Sequence, residues 1–461
     1  MLRIYNTLSG KKEVVKLKNG KAIQLFVCGP TVYDSSHLGH ARTYITFDVI
    51  AKYLKEKWFD VFYLQNITDI DDKIIQRARE KETTPEKIAR KFEKTYLQDM
   101  KSLRVNSVTK YARATDHIKE IIEQVKTLVK KGFAYQIADG VYYDISKFKN
   151  YGKLSRRTAL QAEDAVSRID ESKEKRNKGD FCLWKFSREG EPKWSSPWGQ
   201  GRPGWHIEDT AITQKFFGAQ YDMHGGGKDL VFPHHEAEIA QMEAISSKSP
   251  MVKYWIHTGS LTVNGKKMSK SLGNFIIIQD FIKQHPARIL RFLVIKSLYR
   301  SPTDYKEESI AQAKKELARI DEFVARLSKV NHKLKKGHNL TLTAERAFET
   351  AMEDDFNTPK AVAVVFDLIN RQNALIDKDL LNKADAEDIL KFLKKIDRVL
   401  GFIFWPKVKE KIPQEVIALA KERGKQRKEN NWQKADEIRK KITELGWQIE
   451  DTKTGSRLKK L

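Results

Sequence analysis

The sequence predicts a multidomain α/β protein, with a parallel-sheet domain first, an all-α helical bundle next and a small basic domain last. Three observations carry this reading. The first half alternates strand-like and helical runs. From about Pro302 onward apolar residues recur at three- and four-residue spacing, and after Pro406 the chain turns basic. At 461 residues it is also too long for one simple core.

Ile23 to Cys28 reads as a strand closed by Gly29-Pro30, and Ala41 to Lys57 as a helix carrying Tyr44, Phe47, Ile50 and Tyr53-Leu54 at helical spacing. Val61 to Ile67 is a second strand. A β-α-β order implies parallel pairing through a right-handed crossover. Between about 186 and 206 the texture becomes Gly, Pro and Trp, which predicts a structured loop whose aromatics pack inward. Sheet-like patterning returns at Tyr221 to Phe232 and at Tyr254 to Val263. Helices are expected over Glu307 to Lys329, Ala344 to Met352, Pro359 to Gln372 and Ala384 to Val399. The last segment, Lys407 to Leu461, holds 16 Lys and Arg against 9 Asp and Glu. There Ala435, Ile438, Ile442 and Leu445 would form one apolar helix stripe.

Composition limits the function classes. Apolar residues at 40% exclude a wholly disordered chain. The excess of 86 Lys and Arg over 61 Asp and Glu gives +25. That suits a polyanionic partner such as nucleic acid, or else a Lys-rich solvated surface. Two cysteines, Cys28 and Cys182, provide no disulfide framework and fit a reducing cytoplasm. The start lacks an apolar signal core, and no window reaches the run of about 18 apolar residues that a membrane span needs.

Two motifs point to a nucleotide. His37-Leu38-Gly39-His40 sits between a strand and a helix, so two imidazoles share a face near a helix N-terminus, which favours phosphate. Lys267-Met268-Ser269-Lys270-Ser271 puts two lysines and two hydroxyls on a glycine-flanked loop, able to follow charge onto a departing pyrophosphate. Either alone also reads as a packed pair or an exposed basic loop. His234 and Glu238, at i and i+4, point one way on a helix, as metal ligands or as an ordinary structural pair. Cys28 lies at a strand's C-terminal end, where open α/β sheets bind ligands. Cys, His and a carboxylate suit zinc. Cys182, within Phe181-Cys182-Leu183-Trp184, reads as core.

The two nucleotide motifs together resemble the HIGH and KMSKS motifs of class I aminoacyl-tRNA synthetases, with Leu38 in place of the usual isoleucine. Longer stretches resemble the cysteinyl-tRNA synthetase family. These are Cys28 to Asp34 (CGPTVYD), Asn66 to Ile74 (NITDIDDKI), Gly201 to Glu208 (GRPGWHIE), Gly225 to Glu236 (GGGKDLVFPHHE) and Asp354 to Pro359 (DDFNTP).

The resemblance implies a Rossmann-type catalytic domain over 1–301 with an inserted subdomain at about 110–200. A helical tRNA-binding bundle over 302–405 and a basic anticodon-binding domain over 406–461 would follow. It implies ATP-dependent activation of L-cysteine and transfer to tRNA(Cys), by a cytoplasmic monomer with no membrane attachment. His37, His40, Lys267 and Lys270 would be catalytic and would bind ATP with Gly29 and Asp229. Thr31, Tyr33, Thr68 and Trp205 would line the amino-acid pocket. One zinc ion would bind the substrate thiol, and Mg²⁺ would accompany ATP. The chain departs from the family at Asp209, where a cysteine ligand is usual. Either Asp209 is a carboxylate ligand with Cys28, His234 and Glu238, or it caps a helix beginning near Thr210. Two rivals share the resemblance: a cysteine ligase that passes the adenylate to a small amine, and a non-catalytic RNA-binding descendant. The helical region disfavours the first, and both retained motifs disfavour the second.

Overall fold

The computed structural model describes all residues except 18, 19, 21, 158–171, 269–272, 333–339, 407–412, 453, 454 and 461. Two short antiparallel strands, β1 (Arg3–Asn6) and β2 (Lys11–Val14), open the chain. Next comes β3 (Ala22–Val27), whose run AIQLFV is almost wholly apolar, as a strand covered on both faces requires. The helix Leu38–Glu56 then crosses over to β4 (Asp60–Ile67). It buries residues around its circumference, among them Leu38, Tyr44, Phe47, Ile50 and Leu54, so it runs through the core rather than along the surface. After helices Asp72–Glu80 and Pro85–Ser102 the chain reaches β5 (Lys110–Arg113).

An inserted unit follows: β6 (Ala134–Ile137), β7 (Gly140–Tyr143), β8 (Phe181–Phe186), β9 (Trp194–Ser196) and β10 (Gly199–Pro203). They pair in the order β6-β7-β8-β10-β9, antiparallel throughout. The Gly-, Pro- and Trp-rich stretch expected as a loop therefore supplies two strands. Its glycines allow close backbone approach, and a Cβ at Gly201 would overlap the Lys185 carbonyl across the ladder.

The chain then returns to the first sheet through β11 (Tyr221–Gly227) and β12 (Val252–Thr258). The order is β12-β11-β3-β4-β5, and every pairing is parallel. All five strands thus end on one rim. A small sheet of β13 (Leu261–Val263), β14 (Lys266–Lys267) and β15 (Thr303–Tyr305) leads into helices Glu307–Leu327, Leu342–Glu353, Thr358–Asp377 and Lys383–Leu400. One apolar core runs from Ile4 and Leu25 through Phe292 to Leu393 and Ile403, so the core has no break between residues 301 and 302.

A buried ionic hub ties this core together. Asp48 and Arg291 are both 0% exposed and meet at 2.7 Å. Arg291 also donates to the carbonyls of Leu400 (2.7 Å), Leu103 (3.0 Å) and Arg104 (3.2 Å). Asp48 accepts from Lys52 at 2.7 Å and from the backbone N–H groups of Asn106 and Ser107. Gly401 sits at φ +70°, and a Cβ there would stand 2.9 Å from Arg291 Nε.

The chain divides into two compact units, Met1–Phe404 and Trp405–Leu461. In the second, helices Gln414–Lys428 and Trp432–Glu444 pack with the hairpin β16 (Trp447–Thr452) and β17 (Gly455–Lys460) around Val416, Ile438, Ile442, Trp447 and Ile449. The expected stripe holds at Ala435, Ile438 and Ile442. Leu445 departs from it, because the helix has already ended there and its side chain is 42% exposed. Among the described residues no helix is long and apolar enough to cross a membrane.

Candidate active site

The rim of the parallel sheet gathers motifs that lie far apart in sequence. His37 is the N-cap of helix Leu38–Glu56, and its ring accepts from Gly39 N at 3.1 Å while His40 Nδ1 accepts from His37 N at 3.3 Å. Two histidines thus make a reciprocal capping box, and their rings stack at 3.8 Å. Burial lowers the pKa of His40, with His37 adding to the effect, so this ring stays neutral.

The segment just beyond the lysine motif is sewn to the histidine motif. Leu38 N donates to Ile276 O at 3.1 Å, Ile278 N to Ser36 O at 2.8 Å, and the Phe275 ring lies 5.1 Å from His37. Met268 Cε stands 3.9 Å from where a Gly39 side chain would begin. Lys267 is exposed on β14, whereas Lys270 lies outside the described residues. Asp229 belongs to a short turn, Lys228–Leu230, directly after β11. Gly29 follows β3, and a Cβ there would overlap the carbonyl of Asn66. Thr31 and Thr68 pair across the neighbouring strand ends, and the Tyr33 ring sits under Lys73.

Tyr44 links this region to a buried donor cluster: its ring stacks near His40 and its hydroxyl donates to Cys28 O at 3.3 Å. Cys28 Sγ lies 3.3 Å from Asp209 Oδ2, 3.0 Å from His235 Nε2, 3.3 Å from His224 Nε2 and 3.8 Å from Glu238 Oε1. His234 Nε2 stands 3.1 Å from Asp209 Oδ2 and 3.0 Å from Glu238 Oε1. The four expected ligands, Cys28, Asp209, His234 and Glu238, are therefore brought together, each buried. Burial, reinforced by Asp209 and Glu238, pushes the Cys28 thiol well above its usual range. Burial likewise raises Glu238, and its Oε2 has no hydrogen-bond partner. A sulfur and two carboxylates crowded out of water need positive charge, and this donor set fits a zinc ion.

Asp209 is not a helix cap. The helix runs Ile207–Phe217, so Asp209 lies inside its first turn, and the N-cap residue His206 makes no side-chain cap bond. Its Oδ2 faces the cluster instead. Trp205 lies flat on His234, ring centres 4.4 Å apart and 4° from parallel, forming one wall beside the cluster.

Sequence reasoning missed several residues. His235 joins Cys28, His234 and Glu238 in one group of donor atoms, all within 4.8 Å of one another. Its Nδ1 meets His257 Nε2 at 2.8 Å, and His257 Nδ1 meets Thr7 Oγ1 at 2.7 Å. Burial lowers the pKa of both rings, that of His257 to about 3. Only the doubled histidine of Pro233-His234-His235 hinted at this chain. Asn66 and Glu208 are also buried at the site, Glu208 accepting from the Thr68 hydroxyl; each lies in a stretch that carries the resemblance, but neither has a spacing that marks its role.

Residues 14–315 match the family described as "tRNA synthetases class I (C) catalytic domain", and residues 347–404 match the DALR domain. The chain is 44% identical to a cysteine–tRNA ligase of Thermococcus gammatolerans, with 100% of this chain and 99% of that one aligned. It is equally 44% identical to a cysteine–tRNA ligase of Methanococcus maripaludis over 100% of both. Among solved structures it resembles a Mycobacterium tuberculosis methionyl-tRNA synthetase with methionyl-adenylate (TM-score 0.60, 16% identity, 83% of this chain and 88% of that one). It also resembles a LeuRS in a ternary complex with tRNA from Agrobacterium radiobacter (TM-score 0.63, 11% identity, 84% of each), and at such identities these two speak for the fold alone. Full-length identity at this level, on a parallel-sheet rim carrying the His37–His40 motif, places the chain in the cysteine–tRNA ligase family of class I tRNA synthetases.

Proposed function

We propose that this chain activates L-cysteine with ATP, releasing pyrophosphate, and passes the cysteinyl group from its adenylate to the 3′-terminal ribose of tRNA(Cys). The observation that best supports the substrate is the buried Cys28, Asp209, His234 and Glu238 cluster, set on the same rim as the His37–His40 cap. Zinc held by these four residues would supply a Lewis acid that stabilises a substrate thiolate, a state serine's hydroxyl reaches far less readily.

The chain's own residues do the rest by position. Trp205, Thr31, Tyr33 and Thr68 line the amino-acid pocket. Gly29 leaves room for close approach to the backbone, and His37, His40 and the helix N-terminus face the phosphates. Lys267 and Lys270 follow the charge that develops as pyrophosphate leaves, and Mg²⁺ accompanies ATP. Asp229 holds the nucleotide from the turn after β11. No side chain needs to bond covalently to substrate.

His235 competes with Asp209 for the fourth ligand position, and hydrogen-bond polarity separates the two. When Thr7 donates to His257, His257 donates to His235, whose Nε2–H then points at the Cys28 sulfur. A histidine so placed steadies a thiolate from outside the coordination shell. The fourth place falls to Asp209, whose Oδ2 touches both Cys28 and His234.

Cysteine-dependent ATP–pyrophosphate exchange, measured beside zinc content, tests the reading. One zinc per chain with exchange on cysteine and little on serine supports it; a metal-free chain that still rejects serine overturns it. Lys270→Ala should slow exchange by on the order of 10²-fold while leaving cysteine binding almost unchanged. Near-normal exchange in that variant would remove Lys270 from the mechanism. Deleting Trp405–Leu461, a compact unit of its own, should spare adenylate formation but weaken tRNA binding and flatten its salt dependence, since phosphate contacts are lost. Equal affinity and salt slope without the unit would make it a solvated appendage.

A further inference from the structure

We propose that Asn66 is a positioning residue that turns Asp209 into a one-oxygen ligand, fixing one carboxylate oxygen so that the other faces Cys28 and His234. The proposal rests on the zinc reading above. Asn66 is the penultimate residue of β4 and is 2% exposed. Its Oδ1 accepts from Gly29 N at 2.5 Å, one residue after Cys28. Its Nδ2 donates to Asp209 Oδ1 at 2.5 Å and to Thr68 Oγ1 at 3.3 Å. The acceptor and both donors of the amide are thus engaged. Turning the amide over would set an N–H against an N–H at Gly29 and an oxygen against a carboxylate at Asp209, so only one orientation satisfies both neighbours.

The division of labour at Asp209 follows. Oδ1 belongs to Asn66, whereas Oδ2 stands 3.3 Å from Cys28 Sγ and 3.1 Å from His234 Nε2. A carboxylate has a freedom that a cysteine ligand lacks: it can rotate or present both oxygens to an ion. A neutral amide removes that freedom and leaves the full negative charge for the metal, which a lysine at the same place would partly neutralise. Asn66 also spans two ligand-bearing segments, the end of β3 and the first turn of Ile207–Phe217, so it sets their separation. The polarity continues outward, with the Thr68 hydroxyl donating to Glu208.

The test is zinc affinity of the full chain by chelator competition, in a double-mutant cycle with Asp209→Cys. Asn66→Asp keeps the size and the acceptor for Gly29 N but removes the donor. It should weaken zinc binding by about 10- to 100-fold, the range for ligands' outer partners. In the Asp209→Cys background, where the ligand has a single donor atom and no second oxygen to anchor, the same change should alter affinity by no more than about twofold. Asn66→Ser, smaller and still able to donate, should lie between Asn66→Asp and the parent, and it carries the test if Asn66→Asp does not fold. Unchanged zinc affinity for both variants beside a zinc-loaded parent would overturn the proposal and leave the zinc reading intact. An equal loss in both backgrounds would also overturn it, since that marks a general packing defect. A parent chain that binds no zinc overturns the underlying reading itself.

Discussion

Replacing Cys28 with serine should collapse the preference for cysteine over serine. A site built to bind a substrate's polar group rejects the analogue lacking it by about 10⁴-fold or more, whereas a pocket judging size alone manages about 10- to 200-fold. Cys28→Ser keeps the size of a side chain that is only 4% exposed and removes the sulfur at the centre of the cluster. Discrimination in ATP–pyrophosphate exchange should fall from about 10⁴ to about 10² or less, with zinc lost from the purified chain. Discrimination at the parental level in a zinc-free variant would break the link between metal and specificity. Acid should act the same way. The Cys28 thiol lies well above its ordinary pKa, through burial first and the neighbouring carboxylates second, so ion binding must expel its proton. Zinc affinity should therefore rise with pH and weaken steadily toward acid. Calorimetry in buffers of different ionisation enthalpy reads the released proton directly, and a pH-independent affinity would contradict the thiolate as ligand.

The second large effect concerns stability. Asp48→Ala leaves Arg291 charged, fully buried and without its carboxylate, which should cost about 3–5 kcal/mol in chemical unfolding of the Met1–Phe404 unit. Lys52→Ala, removing a partner that is 17% exposed, should cost much less. Burial pushes the Asp48 carboxyl up, but Arg291 and Lys52 outweigh burial and its pKa ends below the ordinary value. The sign follows. This carboxylate contributes stability above the unfolded pKa of about 4, and that contribution fades as pH falls through the lower folded value. The alanine variant should lose that part of the acid dependence. A cost under about 1 kcal/mol would show that the hub is no stronger than a surface pair.

Local patterns were legible and distant pairings were not. The apolar run of β3, the helix after His37 and the four long helices past Glu307 each announce themselves within a dozen residues, because periodicity is local. The strands β9 and β10 escaped notice because Gly and Pro are depleted in strands generally, and here they serve close backbone approach. Asp209 reads as a ligand or as a helix cap in the sequence, and the helix start at Ile207, with His206 as its N-cap, places it inside the first turn and past the capping position. The contacts of Asn66 and His257 were not legible, because their partners at Asp209 and Thr7 lie 143 and 250 residues away. The Asp48–Arg291 hub spans 243 residues and was equally invisible.

The strand order of the main sheet has a consequence for the chain while it is being made. β3 is flanked on one side by β4, the next strand after a single crossover helix, and on the other by β11, which emerges about 200 residues later. At a synthesis rate of about 5–20 residues per second, that edge waits roughly 10–40 s for its partner. Throughout this interval a buried-type strand offers unpaired backbone groups to anything nearby, the circumstance that invites mispairing between nascent chains on one message. The inserted antiparallel unit is completed during the same delay. Conditions that slow elongation, scarcity of charged tRNA among them, would lengthen the exposure of the very protein that relieves such scarcity.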